Sequence, residues 1–177
     1  MKSKTNSILN VLRVLTWVIF LGLCIKAGSL LFTFIYSLFK PIVSHDLYLG
    51  LNLSQLYSYH LGYYVGLLSL VVSIWVLKAY LFYDVIKIFS KINLNNPFSA
   101  EVAKRIASTS YTALSIGILS VITSGYVKWL IKKPVGVESF SYGNGASEFL
   151  LMAAILFVIS QVFNRGIEIQ SENELTV

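Results

Sequence analysis

Charge is scarce in this chain. Of its 177 residues only 12% are charged, about half the share an ordinary soluble domain carries. With 56% hydrophobic residues and a mean hydropathy of +0.72, a soluble globular fold is excluded as a reading. Cysteine is nearly absent: Cys24 stands alone in an apolar run, so neither an intramolecular disulfide nor a thiolate metal cluster can form. The two histidines, His45 and His60, have no carboxylate or cysteine partners at ligand spacing, which argues against a metal site. No nucleophile–base pair, phosphate loop or helix-borne histidine motif occurs. The expectation is a protein without catalytic residues, metal or cofactor.

What the chain does have is four apolar segments, residues 8–39, 57–89, 98–131 and 146–169. Each is near or above the roughly 20 residues that cross a bilayer as a helix, and none alternates as a membrane barrel strand does. The fold expected is therefore all-α, an integral membrane four-helix bundle forming one domain over 1–177, with a short tail at 170–177. At 1.5 Å per residue the first three segments exceed a hydrocarbon core of about 30 Å, so they must tilt or project. The basic start MKSKTNS leads into a run too long for a cleaved signal core, which predicts a retained signal anchor. Pro41 should stop the first helix, a loop should run to Leu56, and KKPVGVESFSYGNGAS should form a flexible surface segment. With the amino terminus inside, eight of the fourteen Lys and Arg fall on the inner face, four fall on the outer, and Lys26 and Lys78 fall within spans. That bias predicts cytoplasmic termini and a multi-pass protein of a bacterial inner membrane.

The stretch NLNNPFSAEVAKRI breaks the apolar pattern between the second and third segments. Pro97 pushes Asn96 out of the helical region, Ser99 is placed to cap the following helix, and Glu101 sits near its positive end. Lys104 and Arg105 come next, at headgroup level. The last segment ends VFNRGIEIQSENELTV, where Arg165 and Gly166 leave the membrane and Glu168, Glu172 and Glu174 follow. Such an acidic tail suits either a frayed solvated end or a recognition segment whose Leu175, Thr176 and Val177 add to a partner.

Together, NNPFSAEVAKRI and VFNRGIEIQSENELTV resemble the bacterial four-helix membrane proteins known as domain of unknown function twenty-nine seventy-five. The resemblance rests on Asn96, Pro97, Phe98, Glu101, Gly166, Glu172, Asn173, Glu174, Leu175, Thr176 and Val177; Val102 stands where the family more often has Asn. It implies membrane location but no biochemical activity. Members are often encoded beside an Xre-type helix-turn-helix regulator, which implies a role as membrane partner or sensor for such a cytoplasmic DNA-binding regulator, without direct nucleic-acid contact. The partner-binding residues expected are Asn96, Pro97, Phe98, Glu101, Arg165, Glu168, Glu172, Asn173, Glu174, Leu175 and Val177.

Within the membrane, Lys26 is the costly residue, at about 2.5–3.5 kcal/mol for a central lysine on insertion scales. Gly22, Lys26, Ser29 and Thr33 share one face at helical spacing, so Lys26, Ser29 and Thr33 are the candidate ligand contacts; snorkelling is the plainer reading of Lys26. A stripe of Thr109, Ala113, Gly117, Ser120 and Ser124 offers a matching close-packing surface, as do Gly62 and Gly66. Asp84 is expected in an interfacial ion pair with Lys87 or Lys78. Tyrosines at 48, 57, 59, 63, 64, 126 and 142, with Trp129, form an outer aromatic belt or the mouth of a ligand site. Besides a regulator partner, the sequence allows a small transporter or channel, with a homo-oligomer as one form, and an envelope self-protection protein. No acidic residue is expected deep in a span to couple a proton or cation, which weighs against transport, although Lys26 could serve an anion.

Overall fold

The chain is described here from a computed structural model covering residues 2–48, 50–92, 98–135, 137 and 145–174, with the side chains of 2–6, 173 and 174 left undescribed. It is all-α. The elements are α1 (Lys2–Phe39), a 3-10 turn at Pro41–His45, α2 (Ser54–Tyr59), α3 (Leu61–Lys91), α4 (Ala100–Ile131) and α5 (Ala146–Glu174). α1, α3, α4 and α5 are each long and apolar enough to cross a membrane, and the protein is a multi-pass membrane protein of the expected class.

The helix ends follow local chemistry. α1 stops at Phe39 before Pro41. Ser99 caps α4 by accepting the Val102 N–H at 3.3 Å, and His60 caps α3 by accepting the Gly62 N–H on Nδ1 at 3.1 Å. That cap splits the expected segment 57–89, because extended His60 separates α2 from α3. The expected loop to Leu56 is likewise structured. Leu47, Leu51, Leu53 and Leu56 are buried in it, and Gly50 supplies the positive φ of 79° at which the backbone reverses. At the other boundary α5 runs beyond Ile169 to Glu174, so most of the expected tail is helix.

The long helices pack in chain order: α1 against α3, α3 against α4, and α4 against α5. This row has two apolar cores. One lies under the α2 region and joins Leu30, Tyr64, Leu67, Val127 and Leu130 to the loop leucines. It also buries Val135 and Val137, so the start of the connection expected to be a flexible surface segment is core; its residues 138–144 lie outside the described ones. The second core joins α3, α4 and α5 through Ile74, Leu81, Ala113, Ile116 and Ala153.

The row has two chemically different ends. Arg13, Lys87, Lys91, Lys104, Arg105 and Arg165 fall at the end where α1 begins and α5 finishes, the basic end. Contacts tie it together: Arg13 donates to the Phe89 carbonyl at 3.0 Å, and Lys91 meets Glu101 at 3.4 Å. The opposite, tyrosine-rich end stacks His60 on Tyr63 and Tyr126 on Trp129, with Lys133 4.5 Å from the Trp129 ring centre.

Candidate functional site

At the basic end the two sequence motifs meet. Phe98 lies against Gly166, where a Cβ would stand 2.6 Å from the ring. It also packs edge-on to Phe163, with ring centres 5.4 Å apart. Gly166 is therefore a seat for the phenyl ring, and any larger residue would displace it. The ring pins the turn before α4 onto the last part of α5. Beside it, Glu101 bridges Lys91 and Arg105, each at 3.4 Å, and Arg165 pairs with Glu168 at 2.6 Å one turn on. Glu101, Arg165 and Glu168 are all exposed, so the face presents alternating charges around a part-exposed aromatic ring. Glu172 is exposed farther along α5. Asn96, Pro97, Leu175 and Val177, and the side chains of Asn173 and Glu174, lie outside the described residues.

Lys26 has different neighbours from those expected. Thr33 donates its hydroxyl to the Ser29 carbonyl at 2.9 Å within its own helix, and nothing lies within 4 Å of a Cβ at Gly22. The stripe on α1 thus meets no matching stripe on α4. Lys26 Nζ instead sits 3.7 Å from the centre of the Trp75 ring on α3, and Lys78 Nζ sits 4.7 Å from the same ring and 5.1 Å from that of Phe149 on α5. A cation over an indole gains about 0.5–2 kcal/mol, less than the about 2.5–3.5 kcal/mol that a lysine costs at the centre of a span. Trp75, Lys78 and Phe149 were missed in the sequence because they come from two other helices. The one available signal was a second lysine, Lys78, within a span.

The α4 stripe packs against α5. A Cβ at Gly117 would come within 2.7 Å of Leu150, and Ser110 donates to the Ala153 carbonyl at 2.9 Å. Small residues let the two backbones approach, as their spacing predicts. Gly66 serves a similar purpose on α3, where a Cβ would meet the Tyr126 hydroxyl at 3.2 Å.

Asp84 corrects the sequence reading of an ion pair. It is 4% exposed, and its partner is the Ser108 hydroxyl on α4 at 3.3 Å. Among the described residues it forms no ion pair; Lys87 lies over the Tyr83 ring at 4.0 Å. An acidic residue is therefore buried between helices, seven residues before the end of α3. Beside it a groove of about 420 Å³ opens between α3 and α4, lined by Leu77, Tyr80, Lys104, Ser108, Tyr111 and Thr112 among others. No group of three or more metal-ligating side chains is assembled among the described residues.

The family model described as "Protein of unknown function (DUF2975)" matches residues 63–177. The chain belongs to the DUF2975 family. The match runs from early α3 to the last residue, so it takes in Phe98, Glu101 and Gly166 together with Asp84, Lys78 and Phe149, and leaves out Lys26. Comparison with curated proteins and with solved structures gives no match. For this DUF2975 member, then, the functional reading rests on the contacts themselves.

Proposed function

We propose that this protein is a non-enzymatic multi-pass protein of a bacterial inner membrane, with both termini cytoplasmic, that docks a cytoplasmic helix-turn-helix regulator on its basic end. The observation that carries the reading is the seat of Phe98 on Gly166, because it joins two sequence motifs 68 residues apart into one surface. That surface mixes an aromatic ring with the carboxylates of Glu101, Glu168 and Glu172. A helix-turn-helix protein is basic where it meets phosphate, so acidic groups on α5 are suited to compete for that face. The excess of Lys and Arg at this end supports its cytoplasmic placement.

The test is co-purification in detergent with a DNA-binding protein encoded beside the gene. Full-length protein should retain it. A chain ending at Gly166, or one carrying Glu168→Lys and Glu172→Lys, should lose it. Retention by all three would move the contact away from α5, and retention by none would end the proposal.

A second reading, a small transporter, gains support from buried Asp84 and the groove beside it, since ionisable groups inside spans mark ion pathways. Proteoliposome flux abolished by Asp84→Asn, with regulator binding intact, would favour it.

A further inference from the structure

Lys26 and Lys78 come from different helices and crowd one indole, Trp75. Both are partly buried. Among the described residues neither ammonium meets a carboxylate within 4 Å or donates a hydrogen bond. The acids on neighbouring helices are committed elsewhere: Asp84 accepts from Ser108, and Glu148 accepts from Ser147 at 3.0 Å. Two cations on one ring repel each other, and a π face attracts each only weakly. Three ammonium protons on each lysine are left to donate.

Depth adds a second argument. Lys26 lies thirteen residues before the end of α1, Trp75 fourteen after the start of α3, and Gly117 fourteen before the end of α4. At 1.5 Å per residue all three are about 20 Å below the tyrosine-rich ends of their helices. At this level α5 begins, with Phe149 beside Lys78 and Leu150 beside Gly117. The first turn of α5 carries exposed Ser147 and Glu148, and a carboxylate is costly against hydrocarbon. Polar groups thus reach the level of the two lysines on the α5 side, the side from which an anion would approach them.

We propose that Lys26 and Lys78, flanking Trp75, bind an oxyanion, either the acid group of an amphiphile or a free anion of the same chemistry. The carboxylate or phosphate oxygens accept from both ammonium groups. An amphiphile's chain then runs along the exposed apolar face of α1, where Ile25 is 65% exposed. This inference stands apart from regulator docking, which uses the other end of the row.

The probe is 9,10-dibromostearate, a carboxylate amphiphile whose bromines quench tryptophan. It is titrated into full-length protein in phosphatidylcholine vesicles and read with tryptophan-selective excitation, with Trp17→Phe and Trp129→Phe leaving Trp75 as the only tryptophan. Saturable quenching is expected, weakened about tenfold by Lys26→Gln or Lys78→Gln and restored by Lys26→Arg or Lys78→Arg. The brominated fatty alcohol should quench only in proportion to its partitioning. Displacement by inorganic phosphate would assign the site to free oxyanions; saturable quenching that phosphate leaves unchanged would assign it to the acidic amphiphile. Equal quenching by the alcohol would overturn the proposal. So would glutamine variants that keep their helical circular dichroism and full affinity, or a Trp75 emission that responds saturably to neither probe.

Discussion

A Cβ on Gly166 would stand 2.6 Å from the Phe98 ring, so Gly166→Ala must move either the ring or α5. Overpacking of this kind costs typically 1–3 kcal/mol. Phe98→Ala removes the ring and should cost about 1–2 kcal/mol, less than a fully buried phenylalanine, because Phe98 is 37% exposed. With the ring gone, the alanine at 166 has nothing to strike. The double variant should therefore unfold close to Phe98→Ala alone in a detergent thermal melt, and additive losses would show that the two residues do not act as a pair. Asp84 gives a sharper residue-scale prediction. Ser108→Ala leaves a buried carboxylate without its donor and should lower stability by about 1–3 kcal/mol. Asp84→Asn keeps an acceptor for Ser108 while removing a buried charge, so its melt should equal or exceed that of the parent. Loss of stability in both would mean that the charge itself is needed. The sequence placed Asp84 in an ion pair because Lys87 is one turn away. A lysine able to lie over Tyr83 and a hydroxyl arriving from α4 are tertiary facts that helix spacing does not contain.

Elements whose boundaries depend on local chemistry were legible. Pro41 and Ser99 marked helix ends from their backbone and capping preferences alone, and four long apolar runs gave four long helices. The stretch from Pro41 to His60 was not legible, because its leucines are separated by polar residues and follow no helical period. They are buried by the neighbouring ends of α1, α3 and α4 rather than by one amphipathic face. The α4 stripe was legible as a close-packing surface, but its partner was not. Small residues say that another backbone comes near without saying which, and α5 takes the place expected of α1. This makes a prediction at the scale of the element. Gly117→Val should separate α4 from α5, because the space at Gly117 is filled by the Leu150 side chain at 2.7 Å and its backbone nitrogen at 3.2 Å. Hydrogen exchange should rise across the first turns of α5 while α3 keeps its protection. Adding Leu150→Ala should recover only part of the loss, since the backbone contact remains.

At the scale of the molecule the helices form a row in which α1 leans on α3 alone among the long helices and α5 packs chiefly on α4. Only 6% of the most apolar window of α1 and 11% of that of α5 is buried inside the chain, so most of their apolar surface faces lipid. Such a row is oriented by its charges. The basic end carries Arg13, Lys87, Lys91, Lys104, Arg105 and Arg165, while Lys40, Lys128, Lys132 and Lys133 lie toward the other, and Lys and Arg near helix ends set which face stays inside. Cys24 is the only cysteine, so a Cys24→Ser background accepts single reporters. In it, Ser171→Cys on the exposed end of α5 should react with a membrane-impermeant maleimide only after the cells are opened, whereas Ser58→Cys on α2 should react in spheroplasts at once. The opposite pattern would put Phe98, Gly166 and Glu168 outside the cell and remove the regulator proposal. The oxyanion site would survive that reversal, because Lys26 and Lys78 need only a polar route to the level where α5 begins. A mixed pattern, with both positions labelled in intact spheroplasts, would mean dual insertion. In that case the eight-to-four distribution of Lys and Arg between the two faces is too weak to orient the row, and Lys104→Gln with Arg105→Gln should make the mixing worse.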